Sequence, residues 1–80
     1  MALPTDVEAL KLVRREFIKH RVDITRADVF VSNGVIYIRG FLQRERFATY
    51  EDLEEETLRI VRLLRQRREI RDVVVDARFK

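Results

Sequence analysis

The chain has no cysteine and no tryptophan, one proline, two glycines and one histidine in 80 residues. Without cysteine there is no disulfide, no thiolate metal ligand and no thiol nucleophile. With Gly34 and Gly40 as the only glycines, neither a GxGxxG turn nor a Walker loop exists, which argues against a nucleotide-dependent enzyme, and no cofactor is expected. Asn33, Gln43 and Gln66 are the only side-chain amides, a scarcity that with dense charge is typical of heat-stable proteins. No run approaches the roughly 20 apolar residues that cross a bilayer, so no transmembrane segment is expected. The stretch Met1 to Val13 lacks the basic-then-apolar layout of a secretory signal, which predicts a soluble, cytoplasmic chain.

What is present is a globular balance of 46% hydrophobic and 39% charged residues, expected to form one domain over residues 1–80. The net charge of +3 is a mild bias in a chain rich in both signs, not a nucleic-acid signature. Helical spacing of Val7, Leu10, Val13, Phe17 and Ile18 predicts a first helix over about Asp6 to His20, with Thr5 and Glu8 as a capping box and Pro4 just outside it.

From Ala27 the apolar period falls to two, centred on Asn33-Gly34, the pair that a type I′ hairpin turn favours. That turn sets Ser32 opposite Val35, Val31 opposite Ile36, Phe30 opposite Tyr37, Val29 opposite Ile38 and Asp28 opposite Arg39. Val29, Val31, Ile36 and Ile38 then share the inner face, while Phe30 and Tyr37 share the outer one. Gly40, and Leu42 after it, continue the inner row, the glycine marking a close approach by a helix or a bend in the strand. A second helix is expected from Tyr50 to about Gln66, capped by Thr49 with Asp52 at the box position and buried along Leu53, Thr57, Ile60, Val61 and Leu64. Its acidic start, Glu51 to Glu56, and arginine-rich end both suit the helix macrodipole, and Glu55 can pair with Arg59. Asp72 to Phe79 alternates again, with Val73, Val75, Ala77 and Phe79 inward. The expected fold is α+β, an α/β two-layer sandwich of order α-β-β-α-β, with two helices on one face of a three-stranded sheet.

The run from Asp28 to Gly40, followed by a helix and then Ile70-Arg71-Asp72-Val73-Val74-Val75, resembles a BON domain. The shared features are element order, the hairpin glycine, a second glycine late in strand two and a short link into a valine-rich last strand. The resemblance implies a non-catalytic binding module that meets anionic phospholipid or other partners. It also implies a periplasmic or envelope location if a signal has been removed.

Residues suited to catalysis are few. Ser32 beside the hairpin turn and His20 at the end of the first helix are each the only residue of their type, and a nucleophilic triad requires them to converge with an oriented acid. His20 is read instead as a surface cation at a helix C-terminus, and the carboxylates from Glu51 to Glu56 as a solvated helix start. The chain is therefore expected not to be an enzyme.

Two surfaces are candidates for binding. Arg62, Arg65, Arg67, Arg68 and Arg71 cluster near the end of the second helix, where they suit lipid phosphates or other anionic surfaces. The outer sheet face presents Phe30, Val35, Tyr37, Arg39 and Phe41, with Arg26 alongside. An uncovered aromatic patch on a small domain points to a homodimer or a protein partner. The alternative is stacking of single-stranded RNA on the same face, although the glycine-loop and aromatic signatures of common RNA-binding modules are missing.

Overall fold

A computed structural model describes residues 4–80. The order is α1 (Pro4–Lys19), β1 (Val22–Asp23), β2 (Ala27–Ser32), β3 (Val35–Arg44), α2 (Leu53–Arg65) and β4 (Asp72–Phe79). β3 is central, antiparallel to β1 and β2 and parallel to β4. β1 and β2 follow one another along a single edge of β3, since Ala27 faces Gly40, Phe41 donates to the Arg26 carbonyl, and Asp23 faces Gln43. The expected three ranks of strand are therefore present. The addition is β1, too short to show any period in the sequence.

The hairpin register is the expected one at every pair from Asp28–Arg39 to Ser32–Val35. Asn33 and Gly34 both have positive φ, 50° and 81°, as a type I′ turn requires. The turn is also held from outside its own strands. The buried Asp6 carboxylate in the first turn of α1 accepts the backbone N–H of Asn33 at 3.1 Å and of Gly34 at 2.8 Å.

Gly40 has φ 92°, and a Cβ there would meet the Arg26 carbonyl oxygen at 2.6 Å. The close approach comes from the neighbouring strand at the bend between β1 and β2, not from a helix.

The core lies between the sheet and the two helices. Ile36, Ile38 and Leu42 of β3 are fully buried against Ala9, Val13 and Phe17 of α1 and Ile60 and Leu64 of α2. The buried stripe of α2 is the expected one with Glu56 added, and Thr57 satisfies its hydroxyl by donating to the Leu53 carbonyl at 2.8 Å. On α1 the stripe is rotated from expectation: Val7 and Ile18 are exposed and Ala9 takes the buried position. With apolar residues at 7, 10, 12, 13, 17 and 18 the sequence draws two overlapping stripes, and the small Ala9 permits close packing on one of them.

Helix ends differ from the sequence reading too. Pro4 lies in the first turn of α1, where a missing N–H costs nothing, so Thr5 is inside the helix and not its cap. Arg21, with φ 60°, closes the other end by donating its N–H to the Ile18 carbonyl. α2 starts three residues later than expected because Asp52, not Thr49, is the N-cap; its side chain accepts the Glu55 N–H at 3.1 Å.

Candidate functional site

The outer face of the sheet carries the sequence-read residues Phe30, Val35, Tyr37, Arg39 and Phe41 on one side of two paired strands, because they sit at alternate positions in one register. Parallel pairing with β4 extends each row to a third strand. Phe30, Tyr37 and Val74 form an apolar row across the sheet, next to an alternating row of Asp28, Arg39 and Asp76. The Phe30 and Tyr37 rings stack at 5.0 Å between centroids and 15° between planes, and the Arg39 guanidinium lies 5.3 Å from the Phe30 centroid. Phe41 is covered at its own end by the Lys80 ammonium, 4.3 Å from the ring centroid. Neither helix crosses this face. Phe30 is 40% exposed and Val74 41%. Val74 escaped the candidate site at the sequence level because it faces Tyr37 only through a parallel pairing across a helical crossover.

Opposite charges in neighbouring rows decide what this surface can accept. Arg39 sits between two aspartates, Asp28 and Asp76, and Asp72 lies beside Val35. A phosphate chain laid along the face meets carboxylates as often as cations, whereas a protein surface bearing both signs finds complements.

The five arginines do not act alike. Arg65 is committed to the fold, donating to the Val73 carbonyl at 3.1 Å and pairing with Asp72 at 3.3 Å. Arg71 donates its N–H to the Gly34 carbonyl at 2.7 Å, and its side-chain stem lies against that glycine. Arg62, Arg67 and Arg68 are exposed. Among the described residues, no carboxylate lies within 4 Å of Arg62, Arg67, Arg68 or Arg71. Arg68, Glu69 and Arg71 line a shallow depression with Thr5, Asn33 and Gly34, so the segment after α2 and the hairpin turn share one corner of the molecule.

His20 is not freely solvated at the surface, as the sequence suggests, but held between two carboxylates. Its Nδ1 is 2.6 Å from Glu56 Oε2 and its Nε2 is 3.4 Å from Glu16 Oε2, tying the end of α1 to the first turn of α2. Glu56 also accepts from Arg59 at 3.1 Å, as Glu55 does, so part of the acidic run is internally matched. Nearby, Tyr50 donates its hydroxyl to the Arg21 carbonyl at 2.6 Å. Burial raises the Tyr50 phenol above its ordinary range, with the Glu56 charge adding and Arg44 opposing. Ser32 lies beside the hairpin turn on the outer face and His20 in the helical layer, so the sheet separates them. Among the described residues, no group of three or more His, Asp or Glu side chains is arranged to hold a metal ion, and no helix is long and apolar enough to cross a membrane.

No family model matches this chain, and no curated protein is similar enough to count as a relative.

Proposed function

We propose that this chain is a non-catalytic, BON-like interaction module that docks a protein surface on the outer face of its sheet. One observation carries the reading: the row Phe30–Tyr37–Val74 crosses all three ranks of strand on the face that no helix covers. Cross-strand stacking accounts for the Phe30–Tyr37 contact at about 0.2 to 1 kcal/mol, but it gives no reason for a third apolar position in the row. A protein partner removes that row from water and meets the adjoining Asp28–Arg39–Asp76 row with charges of its own. The alternative, single-stranded RNA stacked on the same rings, is disfavoured by the aspartates on both sides of Arg39.

A second contact belongs to the same proposal. Arg68 and Arg71, exposed and without carboxylate partners among the described residues, outnumber Glu69 in the depression beside the hairpin turn and, with the exposed Arg67 at the end of α2, give this basic end a charge suited to anionic phospholipid surfaces. Arg65 is left out of that contact because the fold uses it.

A photo-crosslinking amino acid at position 37 tests the docking reading in living cells. Polypeptide adducts from this position, absent when the probe replaces the exposed Ile18 on α1, are the expected result. Nucleic-acid adducts alone, or no adduct, contradict it. For the corner, vesicles with and without acidic lipid should differ in sedimenting the protein, and Arg67→Ala with Arg68→Ala should abolish the difference.

A further inference from the structure

The sheet ends in β2 on one side and β4 on the other, and the β4 edge involves different atoms from the outer face. Lys80 donates its N–H to the Leu42 carbonyl at 2.9 Å, which turns the even-numbered residues of β4 toward β3. The backbone groups of Val73, Val75, Ala77 and Phe79 therefore point to the opposite edge, since N–H and C=O alternate sides along a strand. Among the described residues β4 pairs with β3 alone. Val73 is already occupied: its N–H goes to Asp72 Oδ1 at 2.8 Å, and its carbonyl accepts from Arg65 Nη2 at 3.1 Å. The open stretch is Val75, Ala77 and Phe79.

We propose that a second copy of this chain adds to that edge, its β4 running antiparallel to β4 of the first about a two-fold axis at Ala77. Charge chooses the register. An axis at Asp76 sets that residue against the partner's Asp76, and an axis at Arg78 sets arginine against arginine. An axis at Val74 places Asp72 against the partner's Asp76, and one at Val75 needs the backbone groups of Val73, which the fold has used. An axis at Ala77 sets Asp76 opposite the partner's Arg78 and Arg78 opposite the partner's Asp76.

The same register explains an exposed ring. Phe79 belongs to the inward-facing set of β4 yet is 36% exposed. Opposite the partner's Val75 it gains an aromatic to β-branched cross-strand pair on the helical side of the sheet. Val75, Ala77 and Phe79 each exchange two backbone hydrogen bonds with the partner. The axis stands normal to the sheet, so both helical layers lie on one side. The two outer faces become one continuous platform, closed by symmetry rather than open to further strands.

Sedimentation equilibrium of the whole chain, from micromolar to millimolar concentration, tests this. Wild type should show a reversible dimer. Ala77→Pro should fold as a monomer, because the N–H it removes points to the free edge and makes no bond among the described residues. Arg78→Asp should weaken dimerisation by roughly tenfold or more, and the swap Asp76→Arg with Arg78→Asp should restore it to within about threefold. Should Ala77→Pro fail to fold by circular dichroism, the charge pair decides alone, and a dimer indifferent to Arg78→Asp overturns the proposal. A wild-type monomer throughout the range overturns it too. Phe30→Asp separates the two surfaces: it leaves the edge dimer intact, whereas a dimer lost in Phe30→Asp and kept in Ala77→Pro belongs to the face and refutes the edge.

Discussion

Along β3, successive residues meet two different environments. Ile36, Ile38 and Leu42 are fully buried beneath the helices, while Val35, Tyr37 and Phe41, one residue away in each case, are only half-buried on the far side. The side chains of β3 in the closed layer are aliphatic and packed by shape, whereas those of β3 in the open one include rings and a charge flanked by aspartates of the neighbouring strands. The difference separates what the chain needs to fold from what it has left to offer a partner.

Ile38→Ala should produce the largest effect, a loss of roughly 2 to 5 kcal/mol in urea unfolding, because a fully buried position leaves a cavity that neighbours fill only in part. Gly40→Ala, in the same row, should cost about 1 to 3 kcal/mol from backbone strain at positive φ, before the overlap with the Arg26 carbonyl is added. A Gly40→Ala chain as stable as wild type would mean the bend between β1 and β2 can relax without cost. Phe30→Ala should lose about 1 kcal/mol, the scale of one stacked cross-strand pair. An effect as large as that of Ile38→Ala would erase the distinction between the two faces.

The smallest effect concerns pH and lies at the bend between β1 and β2. The Thr25 N–H donated to Asp23 at 2.9 Å holds that carboxyl below its ordinary range. A folded-state value lower than the unfolded one adds stability that is full above about pH 4 and lost as pH falls through the folded value. Asp23→Asn should therefore flatten the acid side of the stability profile slightly. An unchanged acid limb would remove this contribution.

Legibility followed the range of the interaction. The hairpin register, the alternation of β4 and the stripe of α2 were readable because each is encoded by neighbours in sequence, such as Asn33-Gly34 or Leu53 to Leu64. Features set by distant residues were not. Asp6 marks only the start of the first helix in the sequence, yet it accepts two N–H groups from the hairpin turn 27 and 28 residues later. His20 reads as a solvated helix-end residue, and only the approach of Glu56 from α2 sets its ring partner, which nothing local in the sequence signals. Thr49 and Asp52 both offer a capping oxygen, and only the path of the connector selects Asp52. On the outer face, the residues of β2 and β3 were legible from the hairpin and the outward set of β4 from its alternation, whereas which row Val74 and the β4 charges join required the parallel pairing.

Urea unfolding of the chain carrying Phe30→Asp together with Tyr37→Lys measures the division between the faces most directly. If the outer rings are kept for a partner, the variant unfolds cooperatively with an unchanged m-value and within about 2 kcal/mol of wild type, since charges placed opposite one another on a wetted sheet can pair. A broad transition with a reduced m-value, or no folded baseline, would show that those rings hold the domain together and are not available to anything else.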